Sequence, residues 1–529
     1  MAVTLSRAEG SLRAAGVAVA VLLSAGWAAA ASPAADIAAL TEQDRLPAAA
    51  DAARQWAAEE PGNTDALRVW GQLAYEIGRY SEAEDALRSL LFYTPHDPDL
   101  LLKLGDALLH RGMHAEARLQ FEAAIHLGAG CAEAYVGLAR VALVDSEDLG
   151  DVLSAAEVAL SVGPDYAPAH AVMGGALRAM GRYADALSHL RHARKIGDGD
   201  PATLFELGLT WELLGDEVPA RRAWERFVQL EPFAPETWLI RNNLVVTAVE
   251  EIIDRGFNAS YSPDGSRIAY RSRGPGGWNI FTIPAEGVPV ETSLWATEDT
   301  VQSLAWSPDS ASIAVNTVVR FTDNEGNARW SRKVILVPAD GGEVRELLDE
   351  RQLGEVAWNP VNGRIGVRHH QAGEGWRIIE VDPESAEFTP IPVADRRSPH
   401  YSPQWSADGS KLLAVRRSPR LPDGTFAYDL LVGPADDFAN ATAIFRSGDL
   451  PSAPIFTPDG SAIIFALPGP VDQRLNFWAV PSDGSREPVL VDHMVGPQGS
   501  ASLSPDGRYL LTMRGLTLVR ATLAGLNER

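Results

Sequence analysis

The chain has 529 residues, 46% hydrophobic and 22% charged, a composition that excludes wholesale disorder and a bundle of membrane spans. Its formal net charge of −24 argues against nucleic acid or an anionic membrane surface as a partner, because both polyanions need Lys and Arg to neutralise them. Cys131 is the only cysteine, so neither an internal disulfide nor a cysteine metal cage can form, and packing alone must stabilise the fold.

At the N-terminus, Arg7 and Arg13 precede an apolar stretch from Ala14 to Ala31, and Ala28, Ala29 and Ala30 offer small side chains for cleavage. This predicts a secretory signal over residues 1–31. The protein is then exported, periplasmic or extracellular, with no membrane insertion after cleavage. The other reading is an uncleaved anchor, since the stretch reaches the lower limit for spanning a bilayer; it leaves the downstream chain on the same outer side.

From about residue 35 to 244 the chain repeats itself. Trp70-Gly71, Leu104-Gly105, Leu138-Ala139, Met173-Gly174 and Leu207-Gly208 recur at steps of 34, 33 or 34, 35 and 34 residues, according to the register of the loosest copy. Gly78, Gly112, Gly181 and Gly215 fall where a first helix turns into a second. Ala83, Ala117, Ala186 and Ala220 follow five residues later, and Leu87, Phe121, Leu190 and Trp224 four beyond those. Pro61, Pro95, Pro164 and Pro232 then break each second helix. The third copy lacks the turn glycine and carries Asp145, Glu147, Asp148 and Asp151, which predicts a longer or distorted turn. A half-repeat from about Asp36 to Glu60 leads the array, and Glu236 to about Asn243 reads as a capping helix.

This pattern resembles the tetratricopeptide-repeat (TPR) family, here as about five and a half repeats plus a cap. The resemblance implies an all-α solenoid whose concave face holds a peptide or a partner helix. Carried over position by position, that groove presents Arg68, Gln72, Tyr75, Asp106, His110, Arg140, Arg178, Phe205 and Glu212. The Lys/Asn carboxylate clamp of the chaperone-binding subset is absent from these positions. The bland alternative is that they are solvated helix positions.

After about residue 250 the sequence changes to short alternating strands. Six turn motifs recur at about 45 to 53 residues: Ser262-Pro263-Asp264-Gly265, Ser307-Pro308-Asp309-Ser310, Asn359-Pro360 with Asn362-Gly363, Ser406-Ala407-Asp408-Gly409, Thr457-Pro458-Asp459-Gly460 and Ser504-Pro505-Asp506-Gly507. Proline sets φ, Asp accepts local amides, and Gly takes the positive-φ position, which Ser310 fills at some conformational cost. One four-stranded blade per copy makes a six-bladed all-β propeller over 245–529. The motifs resemble the TolB-like (PD40 or WD40-like) propellers. Because the chain ends soon after 516–521, the strand-prone stretch Val245 to Ile253 is expected to supply the outer strand of the last blade and so tie the two halves together rigidly.

Catalytic signals are weak. The hydrolases that carry such a propeller need a Gly-x-Ser-x-Gly elbow, and the nearest phrase, Gly499-Ser500-Ala501-Ser502, lacks that form. His189 and His192 lie three apart on a helix and read as surface residues, with no metalloprotease motif beside them. His369 and His370 are adjacent on a strand and point to opposite faces. Asp323 to Asn327 departs from calcium-loop spacing, and Gly274–Gly277 and Gly373–Gly375 lack the helix a nucleotide site requires. The expectation is therefore a non-catalytic scaffold with no cofactor and no metal, binding protein or peptide partners among envelope components. The alternatives are a propeller hydrolase or lyase acting on a sugar, lactone or peptide, and a ligand sensor.

Overall fold

A computed structural model describes residues 32–526, apart from 44, 129–130, 146–148, 198, 275, 323–325, 422–423, 469–474 and 493–500. The signal stretch, the third-copy turn, part of the Asp323–Asn327 loop and Gly499-Ser500 lie outside the described residues. The chain divides into two compact units at residues 241 and 242.

The first unit holds thirteen helices among the described residues: α1 (Pro33–Glu42), α2 (Leu46–Glu59), α3 (Thr64–Glu76), α4 (Tyr80–Tyr93), α5 (Pro98–His110), α6 (His114–His126), α7 (Ala132–Asp145), α8 (Leu149–Val162), α9 (Ala167–Ala179), α10 (Tyr183–Ile196), α11 (Pro201–Leu213), α12 (Glu217–Leu230) and α13 (Pro235–Arg241). They stack as antiparallel pairs at the repeat period. The leading stretch, expected as a half-repeat, is itself a helix pair, α1 and α2. Local chemistry sets the ends. Asn63, Asp97 and Asp200 cap α3, α5 and α11 by accepting first-turn amides. Gly78 ends the turn after α3 at φ 75°, and the Arg79 amide reaches back to the Ala74 carbonyl at 2.8 Å.

Packing explains the small residues. Ala83, Ala117 and Ala186 are fully buried between helices. In α9 and α11 the first-helix glycine sits under a large side chain of the following helix: a Cβ on Gly208 would stand 2.0 Å from Nε1 of Trp224, and one on Gly174 2.5 Å from Cγ of Leu190. Phe121, Leu104 and Leu108 belong to the core of the first repeats, and Val152, Met173 and Leu177 to that of the middle ones.

The second unit is a ring of six antiparallel four-stranded sheets. A first strand, β1 (Val245–Asp254), is followed by blade one, β2 (Phe257–Tyr261), β3 (Arg267–Gly274), β4 (Gly277–Pro284) and β5 (Thr292–Thr297). Blade two is β6 (Thr300–Trp306), β7 (Ser312–Thr322), β8 (Ala328–Pro338) and β9 (Arg345–Glu350). Blade three is β10 (Leu353–Trp358), β11 (Ile365–Gln371), β12 (Gly375–Val381) and β13 (Phe388–Ile391). Blade four is β14 (His400–Trp405), β15 (Lys411–Arg417), β16 (Tyr428–Pro434) and β17 (Thr442–Ser447). Blade five is β18 (Ser452–Phe456), β19 (Ala462–Pro468), β20 (Leu475–Pro481) and β21 (Val489–Asp492). Blade six takes β22 (Ser502–Leu503), β23 (Tyr509–Arg514) and β24 (Thr517–Ala524) from the C-terminus and β1 as its outer strand, paired antiparallel from Val245 opposite Ala524 to Asp254 opposite Thr517 with register shifts at Val246/Ala248 and Glu251/Ile253. The strand expected to close the ring is thus in place.

The turn motif is a small hydrogen-bonded unit. Ser262 Oγ donates to Asp264 at 2.6 Å and accepts the Arg267 amide at 2.9 Å, while Asp264 also accepts the Ser266 amide at 3.0 Å. The same bonds recur at Ser406 with Asp408 and at Ser504 with Asp506. In blade three, Asn359 replaces the pair and its side chain accepts the amides of Val361 and Asn362. Ser310 adopts φ 58°, the strained position expected for it. Adjacent blades are pinned by tryptophans: the indoles of Trp306 and Trp358 each donate at 3.0 Å to a carbonyl of the preceding blade.

Candidate partner-binding site

Four of the expected groove residues converge. Tyr75 near the end of α3, Asp106 and His110 on α5, and Arg140 on α7 come from three successive repeats. Asp106 is the hub: its carboxylate accepts from the Tyr75 hydroxyl and from Arg140, with His110 Nε2 3.8 Å away. Burial alone would raise the Asp106 pKa. The Arg140 guanidinium, His110 and the Tyr75 hydroxyl outweigh it and hold the carboxyl below its ordinary range. Burial, reinforced by the Asp106 charge, pushes the Tyr75 phenol well up.

The end of the solenoid lies against this cluster. His110 stacks on Tyr80 with ring centroids 4.4 Å apart, and its Nδ1 is 3.6 Å from Glu236 at the start of α13. Phe233 packs against the core of the first repeats. A Cβ on Gly78 would meet the Phe233 carbonyl oxygen at 2.9 Å. The segment 231–236 therefore rests on the first-helix face of the leading repeats. Burial, with the charges of Glu236 and Glu76 added, raises the pKa of Glu231; burial likewise raises that of Glu76.

The other expected residues lie elsewhere on the array. Gln72 accepts from Lys103 at 2.7 Å and donates to Glu76 at 2.6 Å. Arg178 donates to Glu206 at 2.9 Å, and Phe205 packs on Phe227 at 5.6 Å between centroids. Arg68 is exposed on α3, and Glu212 is partly exposed near the end of α11. Tyr80, Glu206, Phe233 and Glu236 were not among the expected residues. Tyr80 carried a signal, since it follows Gly78-Arg79 as Tyr183 follows Gly181-Arg182, whereas the return of 231–236 onto distant helices has no local signature.

In the propeller, arginines and aromatic rings gather where the second and third strands of a blade meet. Arg271 lies 4.5 Å over Trp278, Arg368 sits between Trp376 at 5.2 Å and Tyr401 at 4.7 Å, and Arg417 lies 4.7 Å over Phe426. Burial pulls the Arg271 pKa down to about 10. An open hollow of about 310 Å³ at blade one is lined by Arg255, Phe257, Arg273, Trp278 and Leu516. His369 and His370 do face opposite ways: His369 is buried, 2.5 Å from Glu350, with Arg377 donating to its Nδ1, while His370 lies against Trp376.

Residues 68–130 match the family model described as tetratricopeptide repeat. No curated protein matches the chain. Among solved structures, it is similar to a putative TolB from Agrobacterium tumefaciens, at 18% identity and a TM-score of 0.39, covering 52% of this chain and 96% of that one. An oligogalacturonate lyase in complex with manganese is similar at 13% identity and a TM-score of 0.37, covering 53% and 94%. MamA is similar at 22% identity and a TM-score of 0.23, covering 32% and 92%. From the repeat period, the helix pairs and the six four-stranded sheets, the chain is a helical-repeat solenoid, matching the tetratricopeptide-repeat model over residues 68–130, followed by a six-bladed β-propeller.

Proposed function

We propose that the protein is a non-catalytic scaffold, exported to the periplasm or beyond, that holds protein partners on the concave face of its solenoid and on one face of its propeller. The observation that carries this reading is the seating of 231–236 on the first-helix face around Tyr75, Gly78 and His110. A surface that already accommodates a length of its own chain has the shape and polar groups to take a peptide from another. Arg68, Gln72, Tyr75, Asp106, His110, Arg140, Arg178, Phe205 and Glu212 are the positions we assign to it. No helix among the described residues is long and apolar enough to cross a membrane.

Crosslinking in the native envelope, followed by capture of the full chain, tests the proposal. Specific proteins should be recovered with the unaltered chain and lost with Arg178→Glu, which reverses charge on the groove without entering the Asp106 cluster. Equal recovery from both chains would refute the groove assignment. Turnover of a sugar, lactone or peptide substrate by the purified chain would replace the scaffold reading with an enzymatic one.

A further inference from the structure

Three histidines that are separated in sequence meet in the fourth full repeat. His170 lies in the first turn of α9, and His189 and His192 lie one turn apart on α10. Nδ1 of His170 is 3.2 Å from Nδ1 of His189, and the His192 ring stands edge-on to His170 with centroids 4.6 Å apart. Nε2 of His170 is 3.1 Å from the Pro164 carbonyl oxygen. A carbonyl can only accept, so His170 carries its proton on Nε2 and its neutral ring turns the Nδ1 lone pair toward His189.

We propose that His170, His189 and His192 form a binding site for a borderline divalent transition-metal ion, with zinc as the reference case. Zinc binds imidazole nitrogen at about 2.0–2.1 Å with tetrahedral geometry, which sets two ligand nitrogens about 3.3 Å apart. The 3.2 Å contact of the free pair is an N–H···N hydrogen bond, and it already holds the two nitrogens at nearly the separation that two ligands of one cation need. A carbonyl fixing the far nitrogen of a ligating histidine is the usual supporting contact, and Pro164 supplies it.

Among the described residues no group of three His, Cys, Asp or Glu is placed to hold a metal ion with its side chains as they stand. The built part is the His170–His189 pair. His192, exposed on the same helix face, completes the set by rotating about its side-chain torsions, and water takes the remaining position. On binding, the proton that His189 holds on Nδ1 in the free pair moves to its Nε2, so both Nδ1 lone pairs point at the ion.

Full-length, tag-free protein is titrated with zinc by calorimetry, with bound metal counted by mass spectrometry after dialysis. One equivalent is expected. His189→Gln and His192→Gln, both on the outer side of a helix, should each weaken binding by about tenfold or more with an unchanged circular dichroism spectrum. Cobalt(II) in place of zinc should give the visible absorption of a tetrahedral site. Zinc binding no tighter than that of the His189→Gln/His192→Gln double variant would overturn the proposal. So would stoichiometric binding that neither substitution disturbs.

Discussion

Asp106→Asn probes the cluster that joins three repeats. The substitution keeps the size and one acceptor for Tyr75 but leaves the Arg140 guanidinium without its counter-charge. Removing one member of a buried ion pair costs about 3–5 kcal/mol. Here the side chains are 21% and 35% exposed, so water recovers part of that, and we expect a loss of about 1–3 kcal/mol at pH 7. Because the native pKa of Asp106 lies below its unfolded value, its stabilisation is full above the unfolded pKa and is lost as pH falls through the native one. The gap between wild type and variant should therefore close on acidification. Denaturant unfolding followed by far-UV circular dichroism measures it, and hydrogen exchange of α3, α5 and α7 localises it, since repeat arrays need not unfold in one step. A difference under about 0.5 kcal/mol at pH 7, or one that widens toward low pH, would refute the account of Asp106 as the hub.

The Glu231→Gln variant should have the opposite pH behaviour: the raised native pKa of Glu231 means its charged form opposes folding, so the variant gains a few tenths of a kcal/mol at pH 7 and nothing near pH 4, measured by the same unfolding curves. Gly208→Ala drives a methyl into the Trp224 indole and should cost about 1–3 kcal/mol, read as a lower melting temperature of the helical signal. Ser406→Ala removes both the donor to Asp408 and the acceptor for the Lys411 amide, a loss of about 1–2 kcal/mol that should appear as faster hydrogen exchange in β14 and β15. A chain beginning at residue 255 lacks β1 and bares the edge of β24; it should associate in size-exclusion chromatography with light scattering, whereas a monomer would show that the last blade closes without that strand.

Much of the architecture was legible because it is periodic. Gly78, Gly112, Gly181 and Gly215 mark their turns by themselves, since each needs a positive φ that few other residues adopt. The Ser-Pro-Asp-Gly motifs likewise mark the blades, because every bond inside the turn is local; holding Asp264 and Asp408 at about 2, they are small electrostatic units that any five-residue window contains. The Val245 to Ile253 strand was recoverable by a counting argument, as a ring of four-stranded blades lacked one strand. The leading stretch reads as half a repeat in sequence because α1 has only ten residues and no turn glycine separates it from α2.

The candidate site was legible in part. TPR spacing placed Tyr75, Asp106, His110 and Arg140 on one face, and residues one repeat apart on such a face must be neighbours. It could not show that they bond to one another, nor that Glu236 and Phe233 lie on them from well over a hundred residues away. The histidines divide the same way: His189 and His192 are paired by helical spacing, while His170 joins them only because α9 and α10 pack antiparallel. Turns, helix ends, strand alternation and the number of repeats can be read from the residues because short-range physics encodes them. Which polar groups meet emerges from helix packing and chain return, and no local pattern records such contacts.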